Sequence, residues 1–331
     1  MLNITKLSFP GIDIGEFEVN SVAFTIFGVE IAWYAILITL GMLCCIAYTI
    51  MQSKKIGITV DDIIDHALFT IPAGVIGARL YYVLSEIEHY HSLKDVLNIR
   101  EGGLAIYGGI IGGTIAVLLV SKFKKISFFA FGDCVAPGVL LAQGIGRWGN
   151  FMNGEAFGDR CTWFIRMGIQ NYNSVAAFGT TEIVEVHPTF LYESLWNLLG
   201  VLLVYLFARF IGKKYDGQLI LLTFGWYAFG RMFIEGLRMD SLYLGNTGIR
   251  TSQFLAAIIF FTFTVMLIIF AIKKPNKPLY HKAPVEGDAT SETPLFDSIK
   301  KLFTKKNADN GDDKSDDERS NDSNDSKENE K

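Results

Sequence analysis

Seven long apolar runs decide most of what this chain can become. They lie near 28–50, 63–84, 104–121, 128–149, 188–210, 217–236 and 251–272. A helix that crosses about 30 Å of hydrocarbon needs roughly 20 mostly apolar residues. The expected fold is therefore all-α, a polytopic membrane protein with seven transmembrane helices. A strand barrel is not expected, because the runs are too long and do not alternate apolar with polar. The first, fifth and seventh runs are the clearest, whereas the others carry glycine or charge. Composition agrees: half of the 331 residues are hydrophobic and 19% are charged, which places the chain among membrane proteins.

Basic residues orient the runs. Lys54 and Lys55 follow the first, Lys122, Lys124 and Lys125 the third, Arg209, Lys213 and Lys214 the fifth, and Lys273, Lys274 and Lys277 the seventh. Every second loop is basic, and basic loops face the cytoplasm. The N-terminus is then expected outside and the C-terminus inside. Opposite-side segments are 1–27, 85–103, 150–187 and 237–250, and the third, rich in Gly, Asn and Thr, suits a small extracytoplasmic cap. The start of the chain lacks a basic region followed by a short apolar core, so no cleaved signal peptide is expected.

The domain reading is a membrane domain over 1–275 and an acidic cytoplasmic tail over 276–331. Between 286 and 331 there are 14 acidic and 8 basic residues, which leaves the remainder of the chain slightly positive. The end of the tail has almost no apolar residues and cannot bury enough surface to order itself. Its upstream part, "LFDSIKKLFTKK", can lie on an anionic leaflet through Phe296, Leu302, Phe303 and the lysines. The four cysteines (Cys44, Cys45, Cys134 and Cys161) form no spaced pattern, so neither a disulfide framework nor a metal site is suggested.

Polar residues gather at one level of this apolar chain. "QGIGRWGNFMNGEAFG" (143–158) places Arg147, Asn150, Asn153 and Glu155 at the end of the fourth run, with Gly149, Gly154 and Gly158 among them. An arginine there can simply snorkel to the headgroups. Together with the amides and the carboxylate it can also cradle a phosphate, which a guanidinium fork grips with two parallel bonds. The sixth run ends "FGRMFIEGLRMD", with Arg231, Glu235 and Arg238 at helical spacing on one face. A local salt bridge is the plain account. By the topology above, though, this end lies on the same outer side as Arg147, and two arginine clusters at equal depth suit an anionic lipid.

"HPTFLYES" opens the fifth run and brings His187, Tyr192 and Glu193 to that level. Glu193 should face the bundle interior and pair with an arginine. Trp33 and Tyr34 lie near the outer boundary, where a belt role competes with a site role. Six of the twelve residues in "GGLAIYGGIIGG" (102–113) are glycine, which suits close helix packing. Tyr107 projects from that surface as either an anchor or a hydroxyl donor. The partner of Arg79 is open between Glu86 and Glu193, and Asp133 has no evident partner.

Four of these stretches, "GRWGNFMNGEAFG", "GGLAIYGG", "HPTFLYES" and "GRMFIEGLR", match in content a known family. Over roughly 20–275 the chain resembles bacterial prolipoprotein diacylglyceryl transferases. The resemblance implies a seven-helix enzyme of the bacterial cytoplasmic (inner) membrane, open to the outer leaflet. Such an enzyme moves the diacylglyceryl group of phosphatidylglycerol onto the lipobox cysteine thiol of a preprolipoprotein signal peptide. A thioether forms and glycerol 1-phosphate leaves.

It implies catalytic roles for Arg147, Arg231, Tyr107 and Glu155. Phosphatidylglycerol contacts are implied for Arg147, Asn150, Tyr34, Asn153, Gly158, Glu235, Arg238 and His187. Glu155 and Glu235 are expected to hold the two arginines in place. Tyr107 stands where some family members have histidine, so an imidazole base cannot be carried over to that position. No metal or cofactor is called for; the expected partners are membrane lipids and the signal peptide, not nucleic acid. The residues alone also permit a transporter of a small anion or another lipid-headgroup enzyme. A transporter would spread polar groups through the membrane depth, and here they concentrate at one end.

Overall fold

A computed structural model describes residues 4–90, 92–98, 102–241, 243, 247–273 and 278–282. In chain order the elements are β1 (Ile4–Phe9), β2 (Ile14–Asn20), β3 (Val22–Ile26), β4 (Val29–Ala32), α1 (Trp33–Ser53), α2 (Val60–Ser85), α3 (Leu93–Leu97), α4 (Ile106–Phe123) and α5 (Phe128–Asn153). They continue with β5 (Met167–Gln170), α6 (Tyr172–Phe178), β6 (Val184–Val186), α7 (Thr189–Leu206), α8 (Gln218–Ile234) and α9 (Thr251–Lys273).

Each apolar run contains one of the long helices. Six of them (α1, α2, α4, α5, α7 and α9) are long and apolar enough to cross a membrane. The helix of the sixth run, α8, has 17 residues and continues as a tight 3-10 turn over Glu235–Leu237. Among the described residues the seven expected spans therefore number six by length.

Local chemistry explains where the helices begin and end. Thr59 and Asp62 form a capping box at the start of α2, satisfying donors the first turn leaves free. Gly154, at φ 58°, closes α5 in the left-handed conformation. Asp133 of α5 starts α8: its carboxylate accepts from the backbone N–H groups of Gly217 (2.9 Å), Leu219 (2.9 Å) and Ile220 (3.1 Å) and pairs with Lys213 at 3.1 Å.

Packing centres on α5, which lies against α1, α7 and α8. On α1, a Cβ at Gly41 would stand 2.9 Å from the Ala142 carbonyl oxygen, so the two backbones nearly touch. The helices α2 and α4 pair through the glycine face expected from the sequence, Gly108 against Gly77 and Gly112 against Ala73. Close approach through small residues is how helices gain dispersion contacts where no hydrophobic force drives them together.

The all-α expectation needs one correction. An antiparallel four-stranded sheet, ordered β2-β1-β5-β6, joins the N-terminal residues to the segment after α5. Its Leu7, Met167, Ile169, Val184 and Val186 form one apolar cluster with Phe157 and with Phe190 of α7. The sheet thus rests on the neighbouring ends of α5 and α7. The expected cap, about 150–187, supplies only half of its strands. A second hairpin, β3–β4, occupies the start of the first apolar run and leads directly into α1.

At the opposite end, residues 278–282 return to the bundle. Tyr280 N–H donates to Asp216 at 2.9 Å, Lys282 N–H donates to the Ile56 carbonyl at 2.9 Å, and the Lys282 ammonium pairs with Asp62. Residues 278–282 of the expected tail therefore contact the bundle. The remainder of the tail, 283–331, including "LFDSIKKLFTKK", lies outside the described residues.

A candidate anion site built on a shared carboxylate

The site begins where α5 and α7 run antiparallel. Trp148 donates its indole N–H to Ser194 Oγ at 3.2 Å, and Ser194 donates in turn to the Gly144 carbonyl at 2.9 Å. Phe151 and Phe190 pack with ring centroids 4.6 Å apart. This register sets Arg147 across from Glu193, and Arg147 Nη2 lies 2.6 Å from Glu193 Oε2.

From the other side, α8 is locked to α7 by Trp196 and Trp226. Their rings stack at 4.1 Å, and each indole N–H donates to the other's carbonyl, at 3.0 and 2.9 Å. Arg231 is thereby brought level with Glu193 and donates to Oε1 at 2.8 Å. Its other arm meets Glu235 at 2.5 Å. Arg238 adds a third contact to Glu193 Oε1 at 3.3 Å. It also binds Asp240 through two N–H groups, at 2.9 and 2.6 Å. Glu193, with a side chain only 4% exposed, is thus shared by three guanidiniums.

Several expectations are met and several corrected. Glu193 does pair inward, with three arginines instead of one. Glu235 does hold Arg231. Glu155 does not touch an arginine: it accepts from Asn150 Nδ2 (2.9 Å) and Asn153 Nδ2 (3.2 Å), and Asn150 Oδ1 accepts from Arg147 at 3.3 Å. The turn at Gly154 folds Glu155 back over the helix end, where its N–H donates to the Asn150 carbonyl at 3.0 Å. Arg231, Glu235 and Arg238 do not share one helical face, because the chain becomes extended at Arg238 (ψ 143°). The guanidinium of Arg238 nonetheless reaches the cluster.

Gly158 positions this second arm. Its N–H donates to the His187 carbonyl at 2.9 Å, and the next residue, Asp159, donates to the Leu237 carbonyl at 2.9 Å. A Cβ at Gly158 would stand 2.7 Å from His187 Cβ and 3.0 Å from Leu237 O. Only glycine lets the three strands of backbone meet. Tyr34 of α1 packs against α5 two residues beyond Arg147, where a Cβ at Gly149 would lie 2.6 Å from its ring.

Two further expected members have contacts of their own. Tyr107, half-buried, has the ring of Tyr81 as its aromatic neighbour, with centroids 6.4 Å apart on the α2–α4 pair. His187 has Tyr192 Oη at 3.3 Å from its Nδ1 and the edge of Trp163 at 5.9 Å. Burial lowers the His187 pKa, with Asp159 pulling weakly the other way. Arg79 pairs with neither candidate carboxylate. It donates to the carbonyls of Asp95, Val96, Gly102 and Gly103 at 2.7–3.0 Å.

At Arg238, burial disfavours the charge, but the bonds to Asp240 and the nearby Glu193 and Glu235 outweigh it and raise the pKa. The same pairing lowers that of Asp240 against its own desolvation. The arrangement can do one thing well: hold an anion among fixed, permanently charged donors at one end of an apolar bundle.

The family model for prolipoprotein diacylglyceryl transferase matches residues 21–269. The chain belongs to this family. A relative from Clostridium perfringens, phosphatidylglycerol–prolipoprotein diacylglyceryl transferase 1, is 42% identical over 79% of this chain and 99% of its own length. Phosphatidylglycerol–prolipoprotein diacylglyceryl transferases from Enterococcus faecalis and Clostridioides difficile are 40% and 45% identical, covering 80% and 68% of this chain and 95% and 86% of theirs. Every member of the arginine–carboxylate cluster falls inside the matched residues.

Proposed function

We propose that this protein transfers the diacylglyceryl group of phosphatidylglycerol to the lipobox cysteine of preprolipoproteins. The observation that carries the reading is the convergence of Arg147, Arg231 and Arg238 on one buried carboxylate, in a chain whose relatives bear the name of that reaction. The setting is a bacterial cytoplasmic membrane crossed seven times, with α8 as the short span. The N-terminus and sheet lie outside as a cap, and the basic helix ends and the tail after the membrane domain lie in the cytoplasm.

In this reading Arg147 grips the lipid phosphate, with Asn150 and Asn153 holding its surroundings through Glu155. Arg231 and Arg238 face the same phosphate from α8, Glu235 steadies Arg231, and Tyr34 and Gly158 shape the walls. The cysteine sulfur attacks the glycerol carbon that carries the phosphate. A carbon–sulfur bond forms, the carbon–oxygen bond breaks with its electron pair going to the phosphate oxygen, and the thiol proton is released. A thiol near pKa 8.5 is already a few per cent thiolate at neutral pH. Preorganised guanidiniums stabilise the charge that develops on the departing phosphate better in a water-poor site than in water. Tyr107, beside Tyr81 on the α2–α4 pair, and His187, whose carbonyl accepts from Gly158, complete the proposed lipid site.

Purified protein in detergent, supplied with phosphatidylglycerol and a lipobox peptide, tests the reading through glycerol phosphate release. Release should require the cysteine and should fall at least about a hundredfold in Arg147→Ala. Release that persists with a Cys→Ser peptide would mean a headgroup hydrolase. Undiminished release in Arg147→Ala would remove the phosphate role from this cluster.

A further inference from the structure

The cluster contains a carboxylate that an anion site would not need. Glu193 is 3% exposed and sits among all three guanidiniums, where a bound phosphate would also have to sit close by. Glu235 and Asp240 already oppose Arg231 and Arg238 from the periphery. The Glu193 carboxylate is also fixed: the next residue, Ser194, is bonded to both Trp148 and the Gly144 carbonyl, and Trp196 is bonded to α8.

The reaction supplies a reason, and this step rests on the function proposed above. Phosphatidylglycerol is a phosphodiester with one negative charge. The departing glycerol phosphate is a monoester, which carries close to two above its second ionisation near pH 6. Without Glu193 the three arginines against Glu235 and Asp240 would leave one positive charge, which would hold the product more tightly than the reactant and slow its release.

We propose that Glu193 sets the charge this site retains: it is a fixed counter-ion that brings the three arginines, already opposed by Glu235 and Asp240, to a net charge of zero, so that the second charge of the monoester gains no added hold. It need not touch the phosphate. At about 5 Å and an effective dielectric near 20, the contribution of Glu193 by itself weakens the hold on one extra ligand charge by more than tenfold. A purely positional role for Glu193 would affect both ligands alike.

Two soluble probes separate these roles by competing with phosphatidylglycerol at pH 8. One is glycerophosphoglycerol, the deacylated diester; the other is glycerol 1-phosphate. In wild-type protein the ratio of diester to monoester affinity should be about one or higher, despite the monoester's larger charge. In E193Q, which keeps an oxygen acceptor and the side-chain length, that ratio should collapse by at least about tenfold. E193D keeps the charge and should keep the ratio. A wild-type protein that binds the monoester more than about tenfold more tightly than the diester overturns the proposal even if E193Q does not fold. Equal shifts of both constants in a folded E193Q overturn it as well. If neither probe competes and phosphatidylglycerol is not retained, the phosphate reading itself falls, and the counter-ion with it.

Discussion

Arg147 and Arg79 show how one residue type at a membrane boundary serves two ends. Arg79 spends its donors on four backbone carbonyls and lies over the Tyr90 ring, so it shapes the chain between α2 and α4. Arg79→Ala should therefore speed amide exchange over residues 92–98 while leaving lipid binding unchanged. Arg147 instead faces a carboxylate and an amide, and Arg147→Lys, which keeps the charge but loses the planar fork, should recover little of the transfer lost in Arg147→Ala.

His187 makes a pH statement. Its folded pKa is lowered by burial, so the unfolded chain takes up the proton first. Stability from this residue is full above the unfolded value near 6.5 and declines as pH falls through the folded value. His187→Gln should flatten thermal stability across that window, and an unchanged slope would refute the assignment. Sequence made Glu193 visible as a carboxylate in an apolar run that had to pair. It could not show the threefold sharing, because Arg231 and Arg238 lie 38 and 45 positions away and helix register decides which meets it.

At the scale of elements, the long helices were readable because crossing hydrocarbon leaves a continuous apolar signature. The four-stranded sheet was not: β1 and β2 are only six and seven residues long, and β5, the second partner of β1, lies more than 150 positions on. The turn that takes Arg238 off the α8 face was equally hidden, since three residues of 3-10 helix keep helical spacing in sequence. Glycine contacts were legible in kind but not in pairing. Gly112→Leu should drive α4 away from Ala73 and lower the melting temperature. Asp133 was read as partnerless because its partners, Lys213 and three backbone N–H groups, lie 80 or more positions on. Asp133→Ala leaves these N–H groups and Lys213 uncompensated and should cost about 3 kcal/mol, read from chemical denaturation in detergent.

At the scale of the whole molecule, α5 is the post around which the site is assembled. It contacts α1, α7 and α8, ends in the Asn150–Glu155 turn, and carries the sheet against its last residues. The opposite ends of the same helices gather Lys124, Lys213 and Lys282 around Asp62 and Asp133. Charge is thus segregated to the two ends of an apolar bundle, the distribution expected of a spanning protein with one lipid-facing site. Family membership rests on the match over 21–269, and the cluster gives that membership a physical form. Its most direct test is to count phosphatidylglycerol retained per protein by native mass spectrometry, for the wild type, Arg147→Ala, Arg231→Ala and the Arg79→Ala control. Binding should weaken by at least about thirtyfold in the first two variants and hold in the control. Retention at wild-type level in both Arg147→Ala and Arg231→Ala would contradict the assignment of this cluster as the lipid phosphate site.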